Sequence, residues 1–209
     1  MISKKAKDMG QEKLLLRMYA SGTETSEEQF LGGIRDFLER IKVRGETLEA
    51  ALHEAAVYIE ALFQFKEICI GIKGHDGNFR YAVTIGYNKE AEALRKAMVF
   101  SARDMSDMIA FRPVRICRVS QFYLSEKKPY RPGGEKAFNR PNLLGIPRQR
   151  PDDMVEGDYI EVPLQGRNRE TIGWIEAAGS SFGKLPKREV VMQLEFFASC
   201  ISPVIAQMV

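Results

Sequence analysis

The chain has 209 residues, 44% hydrophobic and 28% charged, the balance of a soluble globular domain long enough to bury a real core. No apolar stretch approaches the ~20 residues that a membrane span requires. The basic start, which contains Leu14-Leu15-Leu16, lacks the uninterrupted apolar run of a secretory signal. Cys69, Cys117 and Cys200 are scattered, with no CxxC or Cys/His cluster, so neither a disulfide frame nor a zinc site is expected and a reducing cytoplasm is the natural compartment.

Residues 1–22 read as a partly helical arm ending at Ser21-Gly22. Ser26 is expected to cap the next helix, with Gln29 completing a capping box. Its apolar stripe is Phe30, Leu31, Ile34, Phe37, Leu38 and Ile41, and Gly45 is the expected stop. On this reading residues 1–45 are an N-terminal helical extension and 46–209 the main domain. Thr47 should cap a second helix with the face Leu48, Ala51, Leu52, Ala55, Ile59, Leu62 and Phe63.

The period then changes to that of strands. Residues 66–73 alternate, with Ile68, Ile70 and Ile72 on one face and Cys69 and Gly71 on the other. His75-Asp76-Gly77-Asn78 supplies turn chemistry, and 79–86 is the returning strand. Asn88 should cap a helix over 89–109 with Ala91, Leu94, Met98, Met105 and Met108 inward, ended by Arg112-Pro113. Residues 114–124 read as a third strand carrying Val114, Ile116 and Arg118 on one face. The connection 125–157 holds five prolines and Gly133-Gly134. It has no periodicity and reads as a mobile lid, open to trypsin at Arg131, Lys136 and Arg148. Two apolar strands joined by a turn at Gly166-Arg167-Asn168-Arg169 follow, then a long helix with Val190, Val191, Leu194, Phe197, Ala198, Ile201 and Ile205 on one face. Pro203 should kink that helix near Ser199.

Net charge is +3, but its distribution says more. Residues 126–150 carry seven Lys/Arg against two acids, and 151–161 answer with five acids and no base. A basic loop lying beside its own neutraliser argues against nucleic acid, although Tyr130, Phe138 and the arginines would suit base stacking.

Three phrases resemble a GAF domain, the small-molecule-sensing relative of PAS. They are VPL at 162–164, IGWI at 172–175 and LEFFA at 194–198, and they match the family's central hairpin and following helix in order and spacing. The run ICIGIKGHDGNFRYAVTIGY is similar to the opening hairpin of the same sheet. The resemblance covers about 48–207. It departs at 166–169, where the family often has Asp-Gly. It implies an α+β fold: a central antiparallel sheet of five or six strands with helices on both faces. The first two helices and the last would lie on one side, and the 89–109 helix with the long loop on the other.

The resemblance also frames the chemistry. One GAF subfamily reduces free methionine sulfoxide with pocket cysteines, but here the cysteines fall in strands or on the last helix, where buried thiols are ordinary core. Covalent bilin would need a Cys and a His near the pocket helix, and 89–157 has only Cys117 and no His. No cyclic-nucleotide phrase is present, and His53 and His75 have no second metal ligand at a matching interval. The implied function is therefore non-catalytic sensing of a small molecule or a partner protein, such as a sensor kinase, with output through association. The alternatives are a small redox enzyme and a nucleic-acid-binding regulator. No cofactor is identified by the residues.

Tyr81, Arg112, Arg118, Tyr123, Asp158 and Trp174 are the candidate ligand-binding residues. Arg118 draws attention because a charged side chain facing a core must find a carboxylate, a ligand anion or solvent, and Asp158 is its expected protein partner. A small anionic ligand is the other expectation. Homodimerisation is expected through helical faces, with Phe37, Ile41, Ile201, Ile205 and Met208 as the seam.

Overall fold

The computed structural model describes residues 25–44, 47–107, 111–130 and 132–209. The expected arm over 1–22, the stop at Gly45, the inward Met108 and the cut site Arg131 lie outside these residues. Residues 1–36 and 37–209 form two compact units.

Helix α1 runs Ser26–Arg44. Its capping box sits one residue earlier than expected. Glu28 N donates to Thr25 Oγ1, and Thr25 N donates to Glu28 Oε2 at 2.8 Å. A carboxylate three residues after a Thr makes the stronger, charge-assisted reciprocal pair, so Thr25/Glu28 displaces Ser26/Gln29. Helix α2 (Leu48–Phe63) starts as expected, with the Thr47 side chain accepting from Ala50 N.

Strands β1 (Phe65–Lys73), β2 (Phe79–Ile85), β3 (Val114–Arg115), β4 (Gln121–Tyr123), β5 (Tyr159–Gln165) and β6 (Thr171–Ser180) form one sheet in the order β2-β1-β6-β5-β4-β3. Every pairing is antiparallel. The expected α+β architecture is therefore present. Both faces of the central pair are covered: in β1 the residues from Glu67 to Ile72 are buried without a break. Ile68 and Ile70 are fully buried; α2 packs against β1 and β2, and the last helix, α5 (Arg188–Ile205), packs against β5. Cys69, Gly71, Trp174 and Glu176 face the opposite way, because Cys69 pairs with Glu176 and Gly71 with Trp174 across the β1–β6 ladder.

On the α2/α5 side, Phe37, Tyr58 and Phe197 form an aromatic trio, with Tyr58 and Phe197 stacked at 4.9 Å. Four of the five expected seam residues are spent on this core, and the fifth, Met208, is half-buried. Phe37, Ile41, Ile201 and Ile205 are all less than a tenth exposed, so they are unavailable to a second copy. Near Pro203, the Ser202 hydroxyl donates to Ala198 O and accepts from Gln165 N, tying α5 to the end of β5.

Two expectations fail on this frame, and a third gains detail. The 89–109 helix is two helices, α3 (Lys89–Ala97) and α4 (Ala102–Asp107). Asn88 does cap α3, but Phe100 leaves the helix to exchange both backbone hydrogen bonds with Phe79, at 2.7 and 2.9 Å. Ser101 and Asp104 then cap α4 reciprocally. Two ladder bonds and a second capping box outweigh the continuous apolar period. Within α3 the buried residues are Ala91 and Arg95, while Leu94 is exposed.

The third strand is likewise a tight hairpin, β3–β4, with Val114 opposite Phe122. Its turn is fixed by Glu195 of α5, whose Oε1 accepts from Val119 N, Ser120 N and Ser120 Oγ at 2.7–2.8 Å. Arg118 sits in that turn and is exposed, so it does not face the core and has no burial cost to offset.

The long connection, expected as a mobile lid, carries local structure and side-chain partners. It contains three short 3-10 turns, Ser125–Lys127, Gly134–Ala137 and Pro141–Leu143. Buried carboxylates pin it. Asp158 accepts from Ser125 N, Val155 N and both terminal nitrogens of Arg148, and Glu156 accepts from Arg140. The prolines stop regular structure, but the acidic block supplies acceptors that a pattern of apolar residues does not display.

Candidate functional site

Trp174 lies in the middle of β6 with only 2% of its surface exposed. Its indole lies over Gly71 of the neighbouring strand: a Cβ at Gly71 would stand 2.3 Å from Trp174 Cζ2. Any side chain there would expel the ring. The Trp174 ring meets Tyr81 and Phe100 edge-on at 5.4 and 5.7 Å, and Tyr81 and Phe100 also meet edge-on, so three aromatic rings lock one another. Phe100 reaches this cluster only because α3 breaks where it does.

These rings form part of a cavity of about 530 Å³ between the sheet, α3 and the long connection. Tyr130, Phe138 and Tyr159 add further aromatic wall, and Gly133, Gly134 and Ala137 leave room at one side. Its size falls within the range usual for small-molecule sites.

The polar floor is a hydrogen-bonded network. Arg95 Nη1 lies 2.6 Å from Glu176 Oε1, with each side chain only 5% exposed. Arg95 Nε donates to Ala137 O, and Tyr81 Oη donates to Glu176 Oε2 at 2.8 Å. The guanidinium also lies over the rings of Tyr87, Tyr81 and Phe138, at 4.4–5.5 Å. Burial, the largest influence, opposes the charge on Arg95, but Glu176 together with the neighbouring Tyr87, Cys69 and Tyr81 outweighs it and keeps the guanidinium protonated. Burial, then Glu176, push the Tyr81 phenol well above its usual range, so it stays a donor. Cys69 Sγ is 3.6 Å from Arg95, yet burial raises the thiol to about 12. A fully buried thiol of that kind supplies no thiolate nucleophile.

A second carboxyl lies next to this floor. Glu161 of β5 sits directly across from Glu176. Its Oε2 is buried and finds no partner among the described residues, and burial, then Glu176, raise its carboxyl to about 8. One side of the cavity is held by Asn139, which donates to Glu67 Oε1 and Gly86 O and accepts from Asn88 N. Gly86 is required at this point: it has φ +79°, and a Cβ would run into Lys66 O.

Of the residues expected to bind a ligand, Tyr81 and Trp174 line the cavity. Tyr123 is buried behind it, stacked on Tyr159 at 4.5 Å. Asp158 is buried as the anchor of Arg148, which replaces its expected partner Arg118. Arg112 is exposed, and its carbonyl accepts from Lys127 Nζ. Neither Arg112 nor Arg118 lines the cavity. Sequence reasoning missed Arg95, Glu176, Phe100, Asn139 and Glu161. The signal for Glu176 and Glu161 was present, as acidic residues inside apolar central strands.

Among the described residues no group of three or more His, Cys, Asp or Glu could hold a metal ion, and no helix is long and apolar enough to cross a membrane. No sequence-family model matches the chain, and no curated protein matches it in sequence. Solved structures do match it in fold. A GAF domain of an Acinetobacter phosphoenolpyruvate-protein phosphotransferase aligns with TM-score 0.52 at 13% identity over 85% of this chain and 92% of its own. A Geobacter sulfurreducens GAF domain/HD domain protein aligns with TM-score 0.54 at 11% identity over 77% and 92%. The phycoerythrobilin-bound GAF domain of a cyanobacterial phytochrome aligns with TM-score 0.53 at 12% identity over 90% and 97%.

Proposed function

Taking the GAF-like fold as premise, we propose that the protein is a non-catalytic sensory module. It holds a small molecule in the cavity beside Trp174 and passes occupancy to a second copy or a signalling protein. The observation that carries this reading is an aromatic cavity of about 530 Å³ over a polar floor already neutralised by Arg95–Glu176. Such a floor orients a ligand but has no activated nucleophile beside it.

A redox enzyme built on Cys69 is disfavoured by the raised thiol, and Cys117 does not line the cavity, which also weighs against a covalent pigment. The nucleic-acid reading loses its charge surplus, because Arg140 and Arg148 are held by Glu156, Glu126 and Asp158. Occupancy can reach the helices through the walls. Phe138 lines the cavity and Asn139 beside it holds Glu67 of β1, while Gln64, the residue capping α2, accepts from Ser181 N past the end of β6. With the isoleucines buried, pairing of two copies falls to exposed apolar residues such as Val57 and Met192.

Native mass spectrometry of the purified full chain tests both halves. An additional mass lost in Val99→Trp, which fills the cavity rim, together with a two-chain species, is expected. A bare 23.7 kDa chain with no retained molecule and no pairing at micromolar concentration would overturn the reading.

A further inference from the structure

Resting on the reading of the cavity as a ligand site, we infer that its ligand is an uncharged planar aromatic molecule carrying one hydroxyl or N–H donor. The charged groups facing the space are Arg95, Glu176 and Asp104. Arg95 commits Nε to Ala137 O and Nη1 to Glu176 and Cys69, and aromatic rings lie over its plane. An anion would meet a guanidinium whose charge Glu176 already balances at 2.6 Å, with a second carboxylate, Asp104, on the same lining. A cation meets the same obstacle from the other side, since Glu176 is occupied by Arg95 and Tyr81, and Asp104 accepts from both the backbone and the hydroxyl of Ser101. Neither charge therefore recovers its lost hydration inside.

A neutral ring does. Trp174, Tyr81 and Phe100 form one edge-on cluster, and Tyr130 and Phe138 form another at 5.4 Å. Rings so arranged favour an inserted flat π-system over an aliphatic chain. Tyr81 Oη donates to Glu176 and retains lone pairs, so the polar group it can receive from a ligand is a donor.

Calorimetry on the full chain with three naphthalenes separates the cases: 2-naphthylmethanol, 2-naphthoate and 2-naphthylmethylammonium share a ring system and differ in charge. The expected result is that the alcohol binds at least about tenfold more tightly than either ion. Its affinity should fall by about tenfold or more in Val99→Trp, a change at a rim position that is 51% exposed and outside the core. Tighter binding of the naphthoate or of the ammonium overturns the inference while leaving the ligand site in place. Binding of none of the three, or equal binding of the alcohol to Val99→Trp, overturns both.

Discussion

Arg95 of α3 and Glu176 of β6 make a 2.6 Å ion pair sealed from solvent at the floor of the cavity. Two charges buried together hold each other in place. Removing one strands the other at a cost of about 3–5 kcal/mol, whereas replacing both with apolar residues of similar size is much less harmful. Arg95→Met should therefore destabilise the chain by about that amount, and the double replacement Arg95→Met/Glu176→Leu should recover most of the loss. Urea denaturation of the wild type, the two single variants Arg95→Met and Glu176→Leu, and the double variant checks this. Additive losses in the double variant would show that the pair is not coupled.

Gly71 and Trp174 give a steric prediction. Gly71→Ala places a methyl 2.3 Å from the indole, and overpacking of this kind costs about 1–3 kcal/mol. As Trp174 is the only tryptophan, its emission should shift to the red as the ring is pushed outward. Unchanged emission with unchanged stability would mean that the ring is not held against β1.

Stability should fall as pH rises from about 5 to about 8. Glu161, ordinarily near 4.5, is raised to about 8 in the folded chain. Across that window the unfolded chain has released a proton that the folded one retains, so the slope is negative. One proton contributes at most about 1.4 kcal/mol per pH unit. Glu67, also raised by burial, acts in the same direction. The carboxylates held low by partners, Asp152 and Asp153 among them, lose their contribution only in more acid solution. Glu161→Gln should flatten the dependence, measured as the urea midpoint at pH 5 and pH 8.5. An equal slope in that variant would assign it elsewhere.

Asp158 should govern the long connection. It takes four hydrogen bonds from Ser125, Val155 and Arg148. Asp158→Asn should therefore raise local opening and speed tryptic cutting after Lys136 and Arg148 by on the order of tenfold. Cutting at the wild-type rate would mean that the anchor carries no local stability.

What the sequence made legible follows from what pattern encodes. Alternation in β1 and the apolar run of β6 placed the sheet, and the LEFFA phrase placed α5, because burial on a regular element leaves a periodic trace. The break at Phe100 left none. Met98 and Met105 continue the helical period across it, and only the backbone pairing of Phe100 with Phe79, a non-local event, interrupts it. Trp174 was legible as pocket or core and is both, packed against Gly71 on one side and facing the cavity on the other. Arg118 misled because it sits in a β-like run, where a charge reads as buried. The same rule applied to Glu161 and Glu176, whose strands are central, leads to the polar floor. Arg95 lies on a helix rich in exposed charges, and nothing local separates a buried arginine from a solvated one.

The cavity assignment is tested most directly by the indole N–H resonance of Trp174 in a ¹H–¹⁵N correlation spectrum, the single such signal this chain can give. Titration with 2-naphthylmethanol should move it saturably, with the same midpoint as calorimetry, and in Val99→Trp, where the added indole gives a second signal absent from the wild type, the Trp174 signal should stay fixed. An indole signal that stays fixed while the probe binds would place the ligand elsewhere and contradict the assignment of the space beside Trp174 as the sensory site.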